Sequence, residues 1–303
     1  MEKFSVVEDK VYKYKRLDPV PTSDELNEFY AKEYYEIKKK NDAGSADRFI
    51  NDKEDNNDKS EELLWLKKTE YRDAYVIFHK YFTDGKILDI GCGSGEFLSY
   101  MGDSGFGAVG IEPSIIAYEK AKDKGLEVYN CDLFNFFKMN KTFDIINMTN
   151  VLEHIPEPVK VIAECRKLLN KNGIIRIKVP NDFNELQLEA VEKLHKEKYW
   201  VAIPDHVNYF DFESLTNLLK YQGFEVINKT VDFPIELSMF MGEDYVKERE
   251  LGKIFHKKRR KMEMNLSEEM RRKLYHAFAE VGIGRNIYIC NIKIKSIDCY
   301  ANV

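Results

Sequence analysis

At 303 residues and 44% hydrophobic content, the chain exceeds one average domain and has ample material for a packed core. A net charge of -5 argues against general affinity for nucleic acid. Five cysteines without a C-x-x-C pair fit a reducing compartment, and no stretch reads as a leader or a membrane span, so a cytoplasmic location is expected.

From the amino end, a helix is expected after Pro21, capped by Thr22 or Ser23, over SDELNEFYAKEYYEIKKK. The polar stretch 41–60 reads as a mobile or lid-like loop, or as plain disorder. Helical spacing returns through Leu63, Leu66, Tyr71, Tyr75 and Phe78. Strands are then expected over 86–90, 107–112, 126–130, 143–149 and 173–180, alternating with helices that include 115–124 and 159–169. Gly173 suits a left-handed helix end. Such alternation implies a parallel sheet with ligands at the carboxyl ends of its strands. A helix over 210–222 stopped by Gly223, a strand over 224–231 and a last strand over 286–294 follow. The long, largely helical insertion 234–285 between those strands is expected to select substrate. Its HKKRRK run, beside Glu248, Glu250 and Glu263, reads as a solvated helix face, with an anionic substrate as the functional alternative.

The most informative stretch is KILDIGCGSGEFL, where an apolar run ends in Asp89 and breaks into Gly91, Gly93 and Gly95. A backbone without Cβ atoms can turn sharply and lets a ligand lie against it. A dinucleotide fingerprint needs G-x-G-x-x-G, and here the third place falls on Glu96. The G-x-G-x-G turn resembles motif I of class I S-adenosylmethionine (SAM) dependent methyltransferases. AVGIEPS is similar to that family's second strand, which implies that Glu112 binds the ribose hydroxyls. YNCDLFNF resembles the next acidic loop, which implies that Asp132 accepts from the adenine amino group while Leu133 packs on the ring. FDIINMTNVLEHIPEP resembles the fourth strand and its loop, which carries Asn150, and LLNKNGIIRIKVPN the turn into the fifth.

The resemblance implies an α/β fold with a doubly wound, mostly parallel, Rossmann-like sheet, its last two strands in hairpin order. It implies a helical cap over 1–82, a SAM-binding core over 83–233 and 286–296, and a substrate-side insertion over 234–285. SAM would be held by Asp89, Gly91, Gly93, Gly95, Glu112, Asp132, Leu133 and Asn150. Physical chemistry agrees, because SAM carries a sulfonium cation and no phosphate, and carboxylates accept from hydroxyl and amino donors. Plainer roles stay open: Asp89 as a cap, Glu112 as a surface acid, Asp132 as a turn former, and Cys92 as a small packing residue.

Methyl transfer needs a nucleophile held in line and relieved of its proton, for which a histidine is suited near neutral pH. His154 and His206 are the candidates, each with a loop or backbone-bonding role as alternative. His79, His195, His256 and His276 read as surface or boundary residues. Ubiquinone-pathway and small-RNA 2′-O-methyltransferases resemble Asn150-x-x-Glu153-His154 with E-x-x-E-H, and in the RNA enzymes a later histidine completes a metal site. Asn150 removes one anionic ligand here, so no metal is assigned.

The flanks, RLDPVPTSDELNEFYAKEYYE and MGEDYVKERELGKIFHKKRRK, resemble bacterial surface-polysaccharide and sugar-modifying methyltransferases, without the zinc-binding cysteines some of those carry. The implied function is O-methylation of a sugar or sugar-linked small molecule, with no nucleic acid or membrane as partner and a homodimer left open. The alternatives are an NAD-dependent sugar oxidoreductase and a non-enzymatic SAM-binding partner protein. Tyr30, Tyr34, Tyr35, Trp200, Tyr209 and Phe210 read as acceptor-pocket or core residues.

Overall fold

A computed structural model describes residues 3–29, 56–243, 246 and 248–294. Its strands are β1 (Ser5–Glu8), β2 (Lys15–Asp18), β3 (Lys86–Ile90), β4 (Gly107–Ile111), β5 (Glu127–Tyr129), β6 (Phe143–Thr149), β7 (Leu169–Pro180), β8 (Asn208–Tyr209), β9 (Phe224–Val231) and β10 (Asn286–Lys293). Seven of them form the central sheet in the order β5-β4-β3-β6-β7-β10-β9. The first five of that order run parallel, and β10 lies antiparallel between β7 and β9. The expected doubly wound, mostly parallel sheet is therefore present, closed by a hairpin. Continuous apolar runs explain it: Ile87, Leu88, Ile145, Ile146, Ile175 and Ile177 are fully buried, as strands covered on both faces require.

Helices deliver the chain between strands. Glu96–Asp103 follows β3, Ile115–Asp123 follows β4 with Ser114 as its cap, and Pro158–Leu168 precedes β7. Phe212–Tyr221 starts at an Asp211–Ser214 capping box rather than at Phe210, which is core, and ends before Gly223. The insertion holds helices Glu236–Phe240, Arg249–Asn265 and Glu268–Glu280.

Four differences from the sequence reading have physical causes. The amino-terminal region opens on strands, not helix: β1, β2 and β8 make a separate three-stranded sheet, too short and too charged to show alternation. Thr22 does cap the next helix, its Oγ1 accepting from Glu25 N at 3.3 Å while the Glu25 carboxylate accepts from Thr22 N at 2.8 Å. Helix Ser23–Phe29 is described only that far, so its expected continuation, most of the 41–60 loop, and Tyr30, Tyr34 and Tyr35 lie outside the described residues. Helix Asn56–Lys68 starts inside the stretch read as loop.

β7 begins at Leu169, and it is Asn172, with φ 60°, that takes the left-handed conformation expected of Gly173. Gly173 serves close packing, since a Cβ there would stand 3.0 Å from Asn170 O and 3.1 Å from Asp144 O. The HKKRRK run is not uniformly solvated. Lys257, Lys258 and Lys261 are exposed, but Arg260 turns inward to Glu62 at 2.9 Å and Asp58 at 2.7 Å. Arg259 lies over the Trp65 ring at 5.0 Å and beside Glu263 at 3.5 Å. Carboxylates on facing elements, Glu62 and Asp58 for Arg260 and Asp232 for Arg259, draw these two guanidinium groups out of solvent.

Candidate functional site

The glycine turn sits where β3 ends and β4 lies alongside. Gly91 N and Cys92 N donate to Ile111 O at 2.9 and 3.1 Å, tying the turn to the neighbouring strand. Glu112 accepts from Gly93 N and Ser114 N, both at 2.8 Å, so this carboxylate organises the turn as well as bordering it. Gly91 has φ 71°, and a Cβ on it would meet Val151 Cγ2 at 2.5 Å. Gly91→Ala is therefore expected to cost about 1–3 kcal/mol of stability and to weaken ligand binding at the turn, read by thermal melting and calorimetry. An unchanged melting temperature would show that Val151 yields freely.

A cleft of about 80 Å³ brings together Asp89, Gly91, Gly93 and Asn150 of the expected residues. Gly95, with φ 85°, caps the Glu96–Asp103 helix below the turn. Asn150 adopts φ 53° and donates its N–H to Lys178 O at 2.9 Å. Asp132 and Leu133 are not among the cleft's lining residues. Asp132 is exposed and caps helix Leu133–Phe137, accepting from Asn135 N at 3.0 Å, while Leu133 packs against the main core. Cys92 is buried and packs toward Gly110, which suits its packing role. Trp200, Tyr209 and Phe210 are buried in hydrophobic clusters.

Beside the cleft lies a larger chamber of about 260 Å³, the two sharing Leu66, Glu70, Asn150 and Lys178 as wall. The chamber lies between the Asn56–Lys68 and Glu70–His79 helices, the sheet face of β7, β9 and β10, and the insertion helices. A polar ladder crosses the sheet from cleft to chamber. Asp89, Asn147 and Arg176 are register neighbours on β3, β6 and β7, and Lys178 faces Tyr288 on β10. Asn147 donates to Asp89 at 2.7 Å and accepts from Arg176 at 2.7 Å. Arg176 and Lys178 then donate to the two oxygens of Glu70 at 3.3 and 2.8 Å, with Tyr288 OH at 3.3 Å.

Burial drives the Asp89 carboxyl up to about 7, against the opposing pull of the Asn147 hydrogen bond and Arg176. Burial also opposes ionisation of Glu70, yet the adjacent Lys178 and Arg176 outweigh it and hold Glu70 at about 2. Glu70, Arg176 and Lys178 were not found by sequence reasoning. The available signal was two cations at alternate positions in the apolar strand IIRIKVP, a pattern that places both on one buried face.

His154 and His206 do come together, ring centroids 5.0 Å apart, but line neither the cleft nor the chamber. His154 Nδ1 lies 2.8 Å from Asp205 O and 3.2 Å from the Asp205 carboxylate. Burial disfavours its protonation, but Asp205 and Glu153 overcome that and raise its pKa to about 9. The Asp205 and Glu153 carboxylates thus favour a protonated ring at His154, a proton that a metal ion bound at the same nitrogen would displace. Glu153 is buried, with one oxygen lacking a hydrogen-bond partner. Ligand atoms of Glu153, His154 and His206 lie within 4.8 Å of one another, a spacing that fits a metal ion. His256 is a partner of buried Glu62 at 2.7 Å rather than a plain surface residue.

A doubly wound sheet ending in a β10–β9 hairpin, with a glycine turn at β3 and acids at the neighbouring strand ends, is the Rossmann-like architecture of class I SAM-dependent methyltransferases. Residues 65–229 match the family described as "Methyltransferase domain", and the chain belongs to that family. It is 34% identical over 101 residues to the ubiquinone biosynthesis O-methyltransferase of Actinobacillus pleuropneumoniae, covering 30% of this chain and 43% of that protein. With the like-named protein of Colwellia psychrerythraea the identity is 30%, covering 43% and 55%. The chain thus spans about half the length of these curated relatives, whose name points to ubiquinone rather than to surface polysaccharide.

Among solved structures, a SAM-dependent methyltransferase from Archaeoglobus fulgidus superposes with a TM-score of 0.52 at 17% identity, over 86% of this chain and 100% of that one. Magnesium protoporphyrin IX methyltransferase from Synechocystis, solved with S-adenosylhomocysteine (SAH), gives 0.52 at 10% identity, over 90% and 100%. These likenesses bear on the fold. Among the described residues no helix is long and apolar enough to cross a membrane.

Proposed function

We propose that the chain transfers a methyl group from SAM to a hydroxyl of a small, hydrophilic, sugar-linked acceptor. The observation that carries this reading is the adjacency of the two cavities: a glycine-turn cleft with a buried acid shares Glu70, Asn150 and Lys178 with a chamber lined by many charged and hydrogen-bonding groups beside apolar ones. The cleft residues fit the cofactor. Gly91 and Gly93 leave the main chain bare and Asp89 can face a cation, while Glu112, behind the turn rather than in the cleft lining, has further lone pairs for hydroxyl donors. When bound, SAM supplies an electrophilic methyl group on a sulfonium; the protein's part is to hold the acceptor oxygen in line and to exclude water. Asp132 and Leu133 would border the adenine end, beyond the cleft. The reaction type follows the O-methyltransferase name of the relatives, while the polar chamber suits a hydroxyl-rich acceptor better than an apolar quinone precursor. The insertion 234–285 walls the chamber on one side, in keeping with substrate selection.

Calorimetry with SAM and NAD, followed by detection of SAH with a panel of sugar acceptors, tests the reading. Binding of NAD in place of SAM would replace it with the oxidoreductase, and SAM binding without turnover on any acceptor would favour the binding-protein alternative.

The Glu153–His154–His206 trio favours a second reading, in which a divalent cation held beside the cavities supports turnover. Asn150, which lines both cavities, lies one short turn before the trio. Chelation is then expected to depress turnover at least about tenfold, with recovery on adding Mg²⁺, Mn²⁺ or Zn²⁺ and none in His206→Ala. Full turnover in chelator would leave the trio a structural ion-pair cluster.

A further inference from the structure

Among the described residues, every cation that lines the chamber, with one exception, is matched to a carboxylate. Arg176 and Lys178 share Glu70, Arg259 lies 3.5 Å from Glu263, Arg271 2.7 Å from Asp73, and His256 2.7 Å from Glu62. Arg285 is the exception. Its exposed side chain lines the chamber and makes no ion pair among the described residues. It favours ionisation of Glu236 only through space, and Glu236 takes its hydrogen bond from Tyr199 at 2.7 Å.

The backbone carrying Arg285 is fastened on both sides. Asn181 Nδ2 donates to Gly282 O at 2.9 Å and Gly284 O at 3.2 Å, and Asn181 N donates to Arg285 O at 2.9 Å. Gly284, with φ 145°, packs so tightly that a Cβ would stand 2.4 Å from Val231 Cβ. On the other side the Asp232 carboxylate accepts from Asn286 N at 2.7 Å and Nδ2 at 2.6 Å. The guanidinium therefore projects from a fixed point where β9 ends and β10 begins, at the same sheet edge as the glycine turn.

We propose that Arg285 forms an anion subsite at the chamber mouth, binding a phosphate or carboxylate carried by the acceptor while the acceptor's hydroxyl-bearing part enters the chamber. This rests on the methyl-transfer reading above. In a chamber whose other cations are already matched, a guanidinium carried on a fastened backbone gains far more from an anionic ligand, which it can bind through two parallel hydrogen bonds, than from a neutral one. The subsite makes Arg285 a specificity-determining residue: it separates a charged sugar from its neutral parent without touching the reacting oxygen.

The test titrates full-length protein loaded with SAH, by calorimetry, with inorganic phosphate, acetate, glucose 1-phosphate, glucuronate and glucose. Saturable binding of at least one anion is expected, with any sugar anion that binds doing so about tenfold or more tightly than glucose. Arg285→Ala should abolish the anion binding at unchanged SAH affinity, and Arg285→Lys should retain part of it. The phosphate and carboxylate arms show which anion the subsite takes. Wild-type protein that binds none of the anions, or an alanine variant that binds them as wild type does, overturns the subsite. Failure of SAH itself to bind would instead strike the cofactor reading, and inorganic phosphate titrated into SAH-free protein still tests Arg285.

Discussion

Replacing Glu70 with alanine is expected to destabilise the fold by about 3–5 kcal/mol, because it leaves Arg176 and Lys178 buried without their shared counter-ion. Both cations are almost solvent-free, at 3% and 7% side-chain exposure, so water cannot take over the lost role. Urea unfolding at neutral pH reads the change, and a midpoint shift worth under about 1 kcal/mol would show that the pair relaxes into solvent. The pH dependence carries a second signature. The Glu70 carboxyl is held at about 2 in the folded chain against an ordinary 4.5, so its contribution is present above the ordinary value and is lost as pH falls toward 2. That part of the acid sensitivity should vanish in Glu70→Ala. Turnover should fall as well, since Glu70 stands in the wall common to cleft and chamber.

Asp89 is expected to make SAM binding depend on pH where SAH binding does not. With its carboxyl at about 7, Asp89 goes from about one-tenth ionised at pH 6 to about nine-tenths at pH 8, and SAM affinity should rise roughly tenfold over that interval. SAH has no sulfonium charge, so its affinity should stay level, and Asp89→Asn should flatten the SAM curve. The sign for stability is opposite. A raised carboxyl pKa means that folding is favoured below the ordinary value of 3.8 and loses that advantage as pH rises through about 7. Asp89→Asn should thus melt higher than wild type at pH 8 while binding SAM less well, the exchange of stability for function expected of a buried charge at a binding site. Parallel pH curves for SAM and SAH would remove Asp89 from contact with the sulfonium.

The central sheet was legible because apolar runs bounded by glycine and acidic residues fix strand ends locally; β3 and β6 match the expected spans to the residue. The turn was legible for the same reason. What escaped depends on partners distant in the chain. Glu70 meets Arg176 across 106 positions, so no local pattern could mark it. β8 has two residues and exists only because β2 lies beside it. Arg259 and Arg260 look solvent-bound in a basic run, and only the facing Asp232 and Glu62 turn them inward. The two histidines were correctly placed near strand ends, but the charge of His154 is set by Asp205, a neighbour supplied by the fold.

The small amino-terminal sheet has a practical bearing on handling the protein. β2 pairs with β8, Leu17 N donates to Val207 O at 2.9 Å, and Val207 N in turn donates to Glu153 O at 2.8 Å. Trimming the first eighteen residues as a dispensable tail would unlace the segment bearing His206 from the rest of the molecule. A shortened version would then report the behaviour of a loosened trio rather than that of the intact chain.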